Sequence, residues 1–512
     1  MYALDILLDK VYIEKKKYCS PELLVPIGDE FQDESSNNNG WQASHKFSFH
    51  NAYQFLQFME KHPDRKPRVI EFEALQTVLI IHNRKPSLLE GVKLQVRYRD
   101  DDPSEKEILT LPYDFQRLLV QTRVTVLEIP ETVEELEVPS SMLCNVNFPA
   151  LNRLKTMSTL DSCILDQLCY LPTNLTSLDL KLTLGDDTHL IPHLPISLKS
   201  LTLGLSFSTP IPTMDLSSLK DLKFFSCIQR YACLPLHCLT LPTQISSLMI
   251  TCTERLDSIV QFSQLKRLYV ELSYKVNLHE ILFPDSLEVL EIAYSNAPVR
   301  IWSVILNQLS LPPKLYSLTI DCFPGNLDFS GVRFPSNISV LRLEGCKLSG
   351  FKLPLSLTTL SLRGSAVNSL RSFNFEQLPD LVRLDLFDIF IESFEHSLPP
   401  SLKYLCLGAN TLSKICIEAP GLVVLDLSFA AIEISGPDSF EIPDTVIKMS
   451  LKCANIVVKS AKNSEEPKPK LPQMLPKSLK HLDLNSCLVK PADFDIWGDL
   501  GKFEGLKILT SN

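Results

Sequence analysis

Glycine is scarce in this chain, at 16 of 512 residues, and that scarcity removes several kinds of chemistry at once. Loops that cradle phosphates need closely spaced glycines. None of the patterns Gly-x-x-x-x-Gly-Lys, Gly-x-Gly-x-x-Gly, Gly-x-Ser-x-Gly or His-Glu-x-x-His occurs. The ten histidines are dispersed and nominate no triad, so no catalytic residue and no cofactor are expected. No run of 18 uncharged apolar residues is present, which excludes a spanning helix. Basic charge is also in deficit. Fifty Lys and Arg against sixty Asp and Glu give a formal charge of −10, which argues against a surface built for phosphate backbones. Fourteen cysteines are scattered without a Cys-x-x-Cys pair. The nearest grouping is Cys227, Cys233 and Cys238 with His237, and it reads as free thiols rather than a metal site. Reduced thiols and an amino terminus without a signal-peptide layout lead to the expectation of a cytoplasmic chain, with the nucleus as the other compartment.

What the chain does have is a ten-residue phrase repeated almost to its end. Its clearest copies are LPTNLTSLDL (171–180), LPISLKSLTL (194–203), FPDSLEVLEI (283–292), LPPKLYSLTI (311–320), LPLSLTTLSL (353–362), LPPSLKYLCL (398–407) and LPKSLKHLDL (475–484). The frame is apolar-Pro-x-x-Leu-x-x-Leu-x-Leu, with copies starting roughly 18–28 residues apart. Degraded copies run from 111 onward, and about eighteen units can be counted. A fixed period of this length describes a stacked solenoid, in which no unit can bury its faces alone.

Period-two alternation sets the register. In the phrase at 475–484, Leu482 and Leu484 point inward while His481 and Asp483 point outward. The proline fixes φ where no ladder bond is needed. Three residues past the last leucine, the chain often places a small polar side chain or cysteine. Examples are Thr183, Ser206, Cys227, Cys346, Ser365, Asn410 and Cys487, placed to bond backbone groups left unpaired at the turn. Phe323, Ile389, Ala430 and Ala454 depart from this pattern.

The phrases LRLEGCKL (341–348), LCLGANTL (405–412) and LDLNSCL (482–488) resemble the LxLxxN/CxL motif of leucine-rich repeat proteins. The LPxSLxxLxL form is similar to FNIP-type repeats, with Phe207-Ser-Thr-Pro-Ile in place of their Phe-Asn-x-Pro-Ile tail, and to the repeats of bacterial ubiquitin-ligase effectors. The resemblance covers 111–512 and implies an α/β-type repeat solenoid: a horseshoe with a parallel concave β-sheet and a mostly irregular convex side. Since the repeats run to Leu509, no catalytic domain of the effector kind is expected after them.

Residues 1–110 form an amino-terminal cap or divergent segment, with a polar loop at 29–40. A helix is expected from Asn51, and strands over Val69–Phe72, Val78–His82 and Val92–Tyr98. An insertion loop is expected at 459–470. At the carboxyl end, Ala492–Gly501 with Phe494, Ile496 and Trp497 is expected to fold back as a lid over the last unit, the alternative being an open end that pairs with another chain.

The resemblance implies a protein-binding role. The expected partner is a protein, not nucleic acid or a membrane, and the oligomeric state is left open. Outward positions rich in Arg, Tyr and Phe mark the patch most suited to a partner: Arg342, Glu344, Arg363, Arg383, Asp385, Phe387, Tyr404 and Asp426. The bland alternative is that Arg342, Glu344 and Arg363 only form cross-strand ion pairs. A non-catalytic interaction scaffold is the leading function. The alternative is a substrate-recognition adaptor of a ubiquitin ligase, although residues 1–60 carry no clear F-box.

Overall fold

The computed structural model describes residues 46–49, 51–63, 67–98, 114–120, 127–128, 132–139, 146–147, 153–157, 171–184, 194–207, 213–227, 236–252, 256–273, 281–295, 303–305, 309–328, 332–349, 352–367, 370–458, 474–489 and 507–509. The segments 29–40, 459–470 and 492–501 lie outside these residues.

One 23-stranded parallel sheet runs through the chain. It crosses the boundary drawn at residue 110, because Lys46–Phe49, Val69–Phe72, Lys93–Tyr98 and Asp114–Val120 pair successively in parallel. From Asp114–Val120 to Lys507–Leu509, seventeen successive parallel pairings link eighteen strands. The two α-helices among the described residues lie before this run. Ala52–Lys61 starts at Asn51, whose side chain accepts the Gln54 N–H at 3.0 Å and so satisfies a free donor of the first turn.

The second helix, Leu75–Arg84, corrects the strand expected over Val78–His82. The run Val-Leu-Ile-Ile favours a strand by propensity alone. Leu75, Val78 and Ile81, however, fall three residues apart on one face and are fully buried. A parallel pairing of Val69–Phe72 with Lys93–Tyr98 also needs a crossover, which this helix supplies. Tertiary demand overrode local preference.

The repeat phrase has the same backbone in each copy. The proline carbonyl accepts the N–H of the first leucine three residues on, as in Pro195 to Leu198, Pro284 to Leu287, Pro354 to Leu357, Pro399 to Leu402 and Pro476 to Leu479. Each phrase therefore opens on a hydrogen-bonded turn that aims the chain into its strand. The second and third leucines then point inward. Leu341 stacks on Leu318 and Leu360, Leu384 on Leu360 and Leu405, and all five are fully buried. Burial of each such side chain is worth about 1.5–3 kcal/mol.

The solenoid changes character along its length. Several main-sheet strands between residues 177 and 349 are long, such as Ser177–Leu184, Ser200–Phe207 and Ser317–Asp328. Thr183 and Ser206 therefore lie inside strands rather than at a turn. From Thr359–Ser361 onward the strands shorten to three residues: Arg383–Asp385, Tyr404–Cys406, Val424–Asp426, Lys448–Ser450 and His481–Asp483. A sharp exit follows each third leucine. The residue two beyond it is left-handed at Gly345, Gly364, Asp388, Ala409, Phe429, Cys453 and Ser486. The return side is not wholly irregular either. Ser393–Ser397, Lys414–Glu418 and Phe440–Glu441 form a second parallel sheet, and Thr411–Leu412, Ala431–Ile434, Asn455–Val458 and Leu488–Val489 a third.

Candidate functional site

Two rows of side chains hold the strands at their spacing, and both point back toward the preceding unit. The first row is the serine before the opening leucine. Ser197 donates to the Leu175 carbonyl at 2.7 Å, Ser286 to Leu265 at 2.8 Å, Ser356 to Ile338 at 2.6 Å, Ser401 to Leu381 at 2.9 Å and Ser478 to Val446 at 2.7 Å. Sequence reasoning passed over these serines, although their recurrence in LPxSL was the available signal. The second row is the polar residue three beyond the last leucine. Ser365, fully buried, donates to the Leu343 carbonyl at 2.8 Å and accepts the Cys346 N–H at 3.1 Å. Asn410, 2% exposed, donates to the Leu386 and Leu407 carbonyls at 2.9 Å each. Its Oδ1 accepts the N–H groups of Ile389 and Ile391. These bonds answer the groups that the exit turn leaves unpaired.

The departure at Ile389 is thereby explained. Its apolar side chain is buried, and the Asn410 side chain of the next unit supplies its backbone partner. Ala430 and Ala454 are buried too, and each backbone N–H bonds the carbonyl of the last leucine three residues earlier, Leu427 and Leu451.

With the leucines inward, the opposite face of each strand carries three readable columns. One contains Thr359, Arg383, Tyr404 and Val424, and the next contains Arg342, Ser361, Asp385, Cys406 and Asp426. Glu344, Arg363 and Phe387 stand two residues on from the second column. The eight residues singled out from the sequence thus lie on one face across adjacent strands.

Within that patch, Asp385 is the hub. It is 6% exposed, with Arg363 Nε at 3.1 Å and an Arg383 terminal nitrogen at 3.9 Å from the same carboxylate oxygen. Its other oxygen accepts the Phe387 N–H at 3.2 Å. The Arg363 guanidinium lies over the Phe387 ring at 4.6 Å and that of Arg383 over the Tyr404 ring at 3.7 Å. The Tyr404 hydroxyl donates to Asp426 at 3.3 Å, and Ser428 donates to the other Asp426 oxygen. Burial, first, raises the Tyr404 hydroxyl well above its ordinary range. Cys406 beside it is pushed up by burial and the two aspartates, so it is an unreactive thiol. Cys227 is buried and Cys238 half-buried, while Cys233 lies outside the described residues.

Glu344 behaves differently. Burial raises its carboxyl to about 7, the neighbouring Asp321 adds to the rise, and Arg363 opposes it. Asp321 and Glu344 are register partners on adjacent strands, so their charges repel at close range.

Phe429 and Phe390 gave no signal in the sequence. Both sit at positive φ, 62° and 61°, where a bulky side chain costs about 1–2 kcal/mol. Both are also exposed, and Phe429 packs edge-on against Phe387 at 6.3 Å. Phe429 occupies the position that is glycine at Gly345 and Gly364.

No family model matches the sequence, and no curated protein matches it. Solved structures do resemble it. CroV588, described as a circular LRR protein, matches at 15% identity with a TM-score of 0.40, over 87% of this chain and 73% of that one. A chain of the Drosophila Toll–Spatzle complex matches at 14% identity and 0.42, over 87% and 64%. YopM from Yersinia enterocolitica matches at 20% and 0.37, over 82% and 85%. The fold itself stands on the chain's own columns and ladders. Stacked leucines on a parallel ladder, a proline turn before each strand and a buried polar side chain after it make this a leucine-rich repeat solenoid.

Proposed function

We propose that the chain is a non-catalytic interaction scaffold that seats a protein partner on the open face of its main sheet, centred on Arg363, Arg383, Phe387 and Tyr404. The observation that carries this reading is the immobilisation of the patch. Two guanidiniums and two rings are stacked on one another and tied to the buried Asp385 and to Asp426 before any partner arrives. Side chains already ordered lose little entropy on binding, and Arg and Tyr are the residue types that anchor interfaces. Phe429, strained and exposed beside Phe387, extends the same aromatic edge.

The test is capture of partners with the full chain, followed by affinity measurement on the partner found. Replacing Arg363 and Arg383 is a poor first variant, since it strands the Asp385 carboxylate without a cation. Phe387→Ala with Tyr404→Ala leaves that ion pair in place. Each truncation is expected to cost about 2 kcal/mol, or roughly thirtyfold in affinity. Unchanged affinity would move the site off this face. Recovery of cullin-ligase subunits with the chain would favour the adaptor reading over the plain scaffold.

A further inference from the structure

Arg342 and Ser361 are two polar side chains of this face that make no hydrogen bond and no ion pair within 4.0 Å among the described residues. They are register partners on adjacent strands, Val340–Ser349 and Thr359–Ser361, on the face opposite the leucines. Ser361 is 4% exposed, and its hydroxyl has no hydrogen-bond partner among the described residues. The Arg342 guanidinium is half-buried, and among the described residues it makes no hydrogen bond and no ion pair within 4.0 Å. Burial is the main influence on it, with Glu344 and Glu291 acting only at longer range. A buried hydroxyl and a desolvated cation left unmet side by side are both costly. At Ser365 and Asn410 the buried polar group is met by the neighbouring repeat.

Charge points to what would meet them. Arg363 and Arg383 are met by the Asp385 carboxylate, whereas Arg342 has no acid within 4.0 Å among the described residues. Glu344, two residues along the strand, carries only part of a charge at neutral pH.

We infer that Arg342 and Ser361 form a receptor for an acidic side chain, with the partner's segment presenting an Asp or Glu carboxylate over Ser361. The inference rests on the binding face described above. The guanidinium fork donates two parallel bonds to such a carboxylate, and the serine hydroxyl donates a third.

The test has two arms. In the first, a fluorescently labelled hexaglutamate peptide is titrated against the full chain at low ionic strength, beside a phosphoserine peptide of equal length. Arg342→Gln and Ser361→Ala are expected to weaken hexaglutamate about tenfold or more. Arg267→Gln, an exposed arginine on the same face, leaves it unchanged. Equal weakening by Arg267→Gln, or none by Arg342→Gln, overturns the receptor. Tighter binding of the phosphoserine peptide overturns the choice of carboxylate. In the second arm, thermal unfolding of the free chain separates binding from structure. Removing an unmet charge should hold or raise Tm, whereas a structural arginine would lower it. A lowered Tm for both Arg342→Gln and Arg342→Lys overturns the inference. A captured partner held equally by the parent and Arg342→Gln sinks the acidic contact and leaves the face standing. A partner held equally by the Phe387 and Tyr404 variant sinks the face itself.

Discussion

The side chain of Asn410 completes the backbone of Ile389 in the preceding repeat, accepting its N–H at 3.0 Å while donating to the Leu386 carbonyl at 2.9 Å. Asn410→Ala should therefore cost more than an isolated hydrogen bond, because it leaves several buried backbone groups unmet together. A loss on the order of 3 kcal/mol is expected in denaturant unfolding. Ser365→Ala, with fewer bonds to lose, should cost about half of that. Equal costs would mean that the asparagine bonds are not shared across the repeat boundary.

The serine of LPxSL makes a cheaper prediction. Ser401→Ala removes one donor to the Leu381 carbonyl and should cost about 1 kcal/mol. Ser401→Thr keeps the hydroxyl and should recover most of it. Paired chevron or melting measurements on the two variants decide the point.

The exit turns favour residues that tolerate positive φ. Ala409 sits at φ 55°, so Ala409→Gly should stabilise the chain by about 0.5–1 kcal/mol. Gly421→Ala should do the reverse, because a Cβ there would lie 1.9 Å from the Pro400 carbonyl oxygen. If Gly421→Ala melts with the parent, the two neighbouring units are not packed as closely as described.

Glu344 makes stability depend on pH. Its carboxyl is raised from 4.5 to about 7, so the folded chain holds that proton more firmly than the unfolded one. The contribution is complete below about 4.5 and is lost as pH rises through about 7. Glu344→Gln should thus be more stable than the parent at pH 8, by on the order of 2 kcal/mol, and close to it at pH 5. A variant equally stable at both values relative to the parent would show that this carboxyl is solvated in the folded chain.

Leu362→Asp places a carboxylate in a fully buried column and should cost several kcal/mol. Unfolding at the parent's denaturant concentration would contradict the register. That register was legible from the start, since alternation in LxLxL assigns Leu360 and Leu362 inward and Arg363 outward. The polar row at Ser365 and Asn410 was equally legible from its spacing. Other features lay beyond the sequence because they depend on neighbours 20 or so residues away. Nothing in the string marks Asp385 as the acid shared by two arginines, nor Arg342 as the one left over among them. Phe429 was hidden for a different reason. Phenylalanine argues against a left-handed turn, and only the stacking of successive exits forces it there. Val78–His82 was misread because its composition favours a strand, while the crossover it must span requires a helix.

Each of these serine and asparagine side chains donates from a later repeat to a carbonyl of the one before it. Each repeat is therefore finished only by the repeat synthesised after it. A growing chain carries one incomplete unit at its leading edge, and the defect moves along with elongation. Shortening the solenoid from its carboxyl end strands acceptors on the new last unit, whereas shortening it from the amino end leaves idle donors on the new first one. A cut between these repeats thus leaves two chemically unlike faces, and a partner or cap suited to one could not serve the other.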